Sequence, residues 1–227
     1  MSGLDITVTD SWRAAFPDGA VAVLALDGVT NPAAASALDT IKADLEAELR
    51  ERYGSLTRPE LRALPVLGAY ATYYRRFDKT YHVQLQLESV ALKGKPIASV
   101  SALVETMFMA ELKNHLLTAV HDLDAVEPAL RIEHAEEPTP YTLITGQEGA
   151  LRPGDMYMAD AKGVICSIIY GQDARTRATD STTSALYVTY VPPGVDPAVV
   201  DTHLDDITRY AGLVSPGLSV LDRRVFR

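Results

Sequence analysis

The chain has a single cysteine, Cys166, so an intrachain disulfide is excluded, and with it a structural zinc site of the usual thiolate-rich kind. No apolar run approaches the length of a membrane-spanning helix, which needs about 20 residues; the longest runs are strand-sized. The glycine patterns that cradle phosphates, GxGxxG and GxxxxGK[ST], do not occur, nor does HExxH. Five histidines (His82, His115, His121, His134 and His203) stand at spacings that form no metal signature. Neither a metal nor a cofactor is therefore expected. Basic residues are also scarce: 21 Lys and Arg stand against 30 Asp and Glu, a formal charge of −9. Such a balance favours solubility and gives no general attraction to phosphate backbones, so DNA is not an expected partner. An RNA partner would need a local basic patch that opposes the overall field. The first ten residues show no basic run followed by an apolar one, so no secretory signal is read there. Together with the lone thiol in an apolar run, this makes the cytoplasm the expected location.

What the chain does have is apolar material, 47% of its residues, enough to close a sizeable core. Leu4 to Thr9 alternates like a strand, and Ala20 to Leu26 is a short apolar run that suits a core strand. Asn31-Pro32 has the chemistry of a helix start, and Ala33 to Tyr53 is rich in Ala, Leu and Glu, with Leu38, Ile41, Leu45 and Leu49 on one face. Lys42, Asp44, Glu46 and Arg50 fall on the other face, and Gly54 is the expected stop. Pro59 and Pro65 open two shorter helices, the second reaching towards Phe77; a further helix is expected over Val83 to Leu92. Ser99 or Ser101 caps a helix containing Leu103, Val104, Met107 and Leu112, with Glu105 in its first turn under the second choice.

Beyond His121-Asp122-Leu123-Asp124 the pattern turns to strands: Leu130 to Glu133, Tyr141 to Ile144, Met156 to Ala159, Val164 to Tyr170 and Ser184 to Val191. Pro153-Gly154-Asp155 is a turn. A last helix, Pro197 to Tyr210, precedes a strand-like tail over Leu218 to Phe226. Helices in the first half and strands in the second make an α+β fold. No repeat and no low-complexity tract breaks the chain, so residues 1–227 are expected to form one domain.

Three clusters carry chemistry. His121 beside Asp122 and Asp124 has the residue types of an oriented general base, and equally those of a polar turn. Gly171-Gln172-Asp173, Arg175-Thr176-Arg177 and Thr179 to Thr183 form the longest polar stretch after a buried-looking strand. It suits the lining of a ligand site, or a solvated loop with local hydrogen bonds. Tyr70, Tyr73 and Tyr74 beside Arg75 and Arg76 have the types that stack bases, but at helical spacing Tyr70, Tyr73 and Phe77 also suit a core or an interface.

The order of several short segments resembles a known family. Leu103-Val104-Glu105, Ala119-Val120-His121-Asp122-Leu123-Asp124, Met158-Ala159-Asp160, Tyr170-Gly171-Gln172-Asp173 and Thr179 to Leu186 run in the order and at the approximate intervals of the B3/B4 domain of the phenylalanyl-tRNA synthetase β subunit. The resemblance covers about residues 60 to 190. Residues 1–55 and the last helix would be an additional strand, helix and helix around it. It implies a central β-sandwich of unusual topology with flanking helices, and a pocket that hydrolyses a mischarged aminoacyl-tRNA with an oriented water. Carried onto this chain, that pocket takes His121 and Asp122 as catalytic residues and Glu105, Gly171, Gln172, Asp173, Arg175 and Thr179 as substrate contacts. Four places depart from the family pattern: Ala119 stands where the family has His, Phe108 where it has Asn, His115-Leu116-Leu117 where it has Gly-Gln-Pro, and Gln172 where it has an acid.

Three functions follow. The first is an editing-like deacylase acting in trans on aminoacyl-tRNA or another aminoacyl ester, with a basic approach from Arg75, Arg76, Arg175 and Arg177. The second is a non-catalytic module binding an amino acid or related small metabolite. The third is an accessory interaction protein whose partner face is marked by exposed Tyr70 or Tyr74.

Overall fold

Residues 3–227 are described by a computed structural model, which shows a mixed α+β fold with several sheets. The reading of the chain start rests partly on Met1 and Ser2, which lie outside the described residues. The first half runs β1 (Ile6–Val8), α1 (Asp10–Ala15), β2 (Ala20–Asp27), α2 (Asp39–Tyr53), α3 (Arg58–Ala63), α4 (Pro65–Arg75), α5 (His82–Leu87) and α6 (Ala102–Asn114). Strands then dominate: β3 (Leu117–Asp122), β4 (Leu130–His134), β5 (Thr139–Thr142), β6 (Glu148–Leu151), β7 (Met156–Asp160) and β8 (Gly163–Ser167). The chain closes with β9 (Gly171–Gln172), β10 (Ser184–Val191), α7 (Pro197–Val214) and β11 (Ser219–Phe226). Among the described residues no helix is long and apolar enough to cross a membrane.

One sheet is wholly antiparallel in the order β11-β2-β10-β3; a second runs β1-β4-β7-β8-β9, with only β1 and β4 parallel; β5 and β6 form a separate hairpin. Nearly every residue of β2 and β10 is buried, as their near-continuous Val, Leu and Ala runs require of strands covered on both faces. The two larger sheets contribute to one apolar core, and the Tyr190 hydroxyl of β10 donates to the Cys166 carbonyl of β8 at 3.1 Å.

Helix α4 is fastened to both sheets by its tyrosines. Tyr70 donates to the Tyr190 carbonyl and accepts from the Leu117 amide at 3.0 Å, so its hydroxyl stands inside the last rung of the β10–β3 ladder. Tyr73 donates to Asp155 Oδ1 at 3.0 Å and accepts from the Met156 amide at 2.8 Å, and Tyr74 donates to the Ile168 carbonyl at 2.7 Å. All three are buried. The base-stacking reading and the partner face built on exposed Tyr70 or Tyr74 are therefore corrected: a ring that closes the core and whose hydroxyl satisfies buried backbone groups has no face left for a ligand.

Two further expectations change. Helix α2 starts at Asp39, after a single 3₁₀ turn over Ser36–Leu38, and Asn31 caps nothing there. Asn31 is buried instead, accepting from the Leu103 amide at 2.9 Å and donating to the Thr179 carbonyl at 2.8 Å, so it ties the start of α6 to a distant loop. Lys42 does not lie on a solvated face: its ammonium is 2.8 Å from Glu105, whose side chain is 1% exposed. The capping chemistry at Thr57-Arg58-Pro59-Glu60 is a complete capping box, whereas Ser101 occupies the N-cap position of α6 without a capping bond from its hydroxyl, and Asn31 takes the Leu103 amide instead. After α5 the chain widens into one π-helical turn, Glu88–Leu92, before Gly94.

Candidate functional site

The polar stretch after β9 folds back along the free edge of β3. The Asp122 amide donates to the Thr176 carbonyl at 2.8 Å, and His121 bridges Arg177. Gly171, at φ +82° in the left-handed region, lets the chain reverse into this segment without a side-chain penalty. The same segment meets β5 on its other side, where the Ala174 amide donates to the Thr142 carbonyl at 3.2 Å and Leu143 bridges Asp173.

His121 is fully buried and heads a hydrogen-bonded chain. Its Nδ1 lies 2.7 Å from Thr176 Oγ1, and the Thr176 hydroxyl in turn donates to Asp173 Oδ1. Because the Thr176 proton is committed to the carboxylate, Nδ1 carries the imidazole proton. The Gln172 amide group donates to the Val120 carbonyl at 2.6 Å and to the Thr176 carbonyl at 3.3 Å, which leaves it no hydrogen for the ring. Burial, reinforced by the Arg175 charge, pushes the His121 pKa down to about 3, so the ring is neutral. Nε2 is buried without a partner among the described residues. Burial raises the Asp173 carboxyl above the usual range, against the opposing pull of Thr176 and Arg175.

Arg175 is held rather than free. It reaches Asp160 at 2.9 Å and donates to the Ala125 carbonyl at 2.8 Å, with Asp173 Oδ2 at 3.8 Å from its Nε. Burial opposes ionisation of Asp160, but the amides of Glu127 and Lys162 and the Arg175 guanidinium outweigh it and hold the carboxyl below its ordinary value. Beside this group lies a cavity of about 410 Å³ lined by Pro140 to Thr142 of β5, Lys162 to Val164 at the β7–β8 turn, and Asp173 to Arg175. One buried carboxylate and two cations thus share a concavity with a tyrosine and a threonine.

Of the residues marked from sequence, His121, Gln172, Asp173 and Arg175 come together here, with Gly171 as the bend that admits them. Asp122 does not orient His121: its Oδ1 accepts from the Asp124 amide at 3.1 Å and its Oδ2 from Thr182 at 2.8 Å, so it caps a 3₁₀ turn. Thr179 bonds Ser181 through its hydroxyl at 2.9 Å, and its amide donates at 2.9 Å to Thr182, the residue that donates to Asp122. Glu105, spent on Lys42, has no hydrogen bond or ion pair to the group. Arg75 borders a different concavity, and Arg76 stacks over Tyr73 at 5.3 Å, so the four arginines of the expected basic approach do not share one face. Thr176, Asp160, Lys162 and Tyr141 were not marked as site residues. Asp160 and Lys162 sit in a stretch whose sequence reads simply as a turn, and Thr176 is screened by the arginines flanking it.

No family model matches the chain, and no curated protein matches it. Among solved structures it is similar to an N-terminal fragment of the phenylalanyl-tRNA synthetase beta-subunit from Pyrococcus horikoshii, at 12% identity and a TM-score of 0.48. The likeness covers 99% of this chain and 51% of that one, so the chain spans about half the length of the fragment. It is a distant likeness of fold.

Proposed function

We propose that this chain is a binding module for a small zwitterion of amino-acid type, built on a B3/B4-like framework as a single domain. The observation that carries the reading is the placing of Asp173, Arg175 and Lys162 around one cavity of about 410 Å³. A carboxylate suits an ammonium group, and a guanidinium or ammonium suits a carboxylate, so a ligand bearing both charges matches the lining better than a purely anionic or cationic one. Tyr141, Pro140 and Val164 offer apolar contact for its side chain. The enclosure of His121 and the structural bonds of Asp122 argue for binding over catalysis at the residues first marked for chemistry.

The test is a panel of free amino acids and their esters, read by the thermal midpoint and by calorimetry. A saturable rise in midpoint is expected, with affinity at least about tenfold weaker in Asp173→Asn and Lys162→Ala. Among the described residues the Lys162 ammonium pairs only with half-exposed Glu127, so its loss leaves the fold intact. A flat response across the panel overturns the reading.

A second reading, the editing-like hydrolase of aminoacyl esters or aminoacyl-tRNA, is favoured by one observation: the His121–Thr176–Asp173 chain ends on the cavity wall in a carboxyl group raised by burial. Asp173 would accept a proton from a water that attacks the ester carbonyl, and would return that proton to the ester oxygen as its bond to the carbonyl carbon breaks and it leaves as a hydroxyl. Ester cleavage no faster than in buffer removes this reading and leaves the binding one standing.

A further inference from the structure

A second charged feature lies away from that cavity. Between residues 58 and 79 the chain carries Arg58, Arg62, Arg75, Arg76 and Lys79 against only Glu60 and Asp78, a basic stretch within an acidic protein. The fold turns this stretch into a trough. A concavity of about 370 Å³ is lined by Arg58, Arg62, Lys79 and Thr80, with Tyr81 and Gln84. A second, of about 330 Å³, is lined by Arg62, Gly68, Thr72 and Arg75. Pro59, Arg62 and Ala71 line both, so the two adjoin and Arg62 stands between them.

The acidic groups nearby are already engaged. Glu60 accepts from the Thr57 amide and hydroxyl, both at 2.7 Å, and Glu88 is buried against Arg58 at 3.0 Å and Gln84 at 2.8 Å. Asp78 faces Arg152 at 3.4 Å. Arg62, Arg75 and Lys79 make no ion pair among the described residues, and all three are exposed. Lys79 is steadied over the Tyr170 ring at 4.3 Å, which holds its charge at one end of the trough. A row of uncompensated cations in an elongated concavity is an arrangement for successive anionic groups, and arginine forks match phosphate oxygens two at a time.

We infer that the trough between α3 and α4 binds a ligand carrying two or more phosphate groups in a row. The chemistry is shared by a free oligophosphate and by the backbone of a single-stranded RNA. Either would meet Arg62 centrally, with Arg58 and Lys79 on one side and Arg75 on the other.

The test uses the full chain with tripolyphosphate in calorimetry and with a labelled oligouridylate in fluorescence anisotropy, at about 50 mM and about 200 mM salt. Saturable binding at the lower salt is expected, weakened at the higher. Arg62→Glu and Lys79→Glu should each lower affinity at least about tenfold, while Lys93→Glu, an exposed cation outside the trough, leaves it unchanged. An unaltered thermal midpoint in the variants assigns the loss to binding. Tight oligouridylate binding identifies a nucleic-acid source, and binding of tripolyphosphate alone a free phosphorylated compound. Absence of saturable binding by both probes, or an equal loss in Lys93→Glu, overturns the inference.

Discussion

Replacing Thr176 with valine keeps the volume and removes one hydroxyl, and the consequences follow from its two bonds. Thr176 is fully buried, accepts the Nδ1 proton of His121 at 2.7 Å and donates to Asp173. The ring has an escape: its proton can move to Nε2, and the Gln172 amide group can give up its longer bond to the Thr176 carbonyl, 3.3 Å, to donate instead to Nδ1 at 3.2 Å. Asp173 has none, since its remaining neighbours are the Thr176 amide at 3.1 Å and the Arg175 Nε at 3.8 Å. Leaving a buried acceptor short of a donor costs roughly 1–3 kcal/mol, more when it is charged, so a total loss of about 2–4 kcal/mol is expected. In a chain of this size that lowers the thermal midpoint by roughly 4–16 °C. Urea denaturation gives the free energy, and nitrogen-15 NMR of the imidazoles gives the tautomer, with His121 expected to change from Nδ1–H to Nε2–H. A variant within about 0.5 kcal/mol of the parent, or a parent ring already protonated on Nε2, refutes the hydrogen-bonded chain as drawn.

Tyr70→Phe leaves the Leu117 amide and the Tyr190 carbonyl facing each other without the hydroxyl between them, and a loss of about 2–4 kcal/mol in urea denaturation is expected; an unchanged midpoint would mean the strands close the gap. Burial raises the Glu111 pKa to about 8, so its contribution to stability is present below the unfolded carboxyl value and is lost as pH rises from about 4.5 through 8. Glu111→Gln should accordingly match the parent near pH 5 and exceed it by roughly 1–3 kcal/mol at pH 9, provided the amide oxygen keeps the Thr118 amide bond; a variant weaker at both pH values counts against this. Burial lowers His82, His115 and His203 to about 4, which makes the sign opposite: their contribution is present above pH 6.5 and lost as pH falls towards 4. Acid unfolding with net proton uptake should begin in that window, and potentiometric titration alongside circular dichroism measures it.

Much of the fold was legible because burial leaves a plain mark on sequence. The apolar runs of β2 and β10, the proline starts of α3 and α4 and the amphipathic α7 are visible without coordinates. Strand β3 was not, because its polar residues Thr118 and His121 interrupt the apolar pattern while being buried against other polar groups. The start of α2 at Asp39 is hidden in the sequence because Asn31-Pro32 has the chemistry of a cap, while Asn31 is used for a tertiary bridge. In the site, the stretch from Gly171 to Arg177 was visible as polar residues following a core strand. The role of each residue was not, since Asp122 and Glu105 are distinguished from Asp173 only by what lies across from them in space.

The tyrosines of α4 bear on how the molecule can move. One helix is pinned to the β10–β3 edge by Tyr70 and to the β7–β8 region by Tyr73 and Tyr74, so sliding one sheet past the other would break all of these buried bonds together. The sheets and α4 therefore form a stiff chassis, and easier opening is expected in the segments attached to it: the turn from Asp173 to Thr183 on one side and the α3 trough on the other. Motion at either place is local, and amide hydrogen exchange would show two fast-opening patches on a slow, common background.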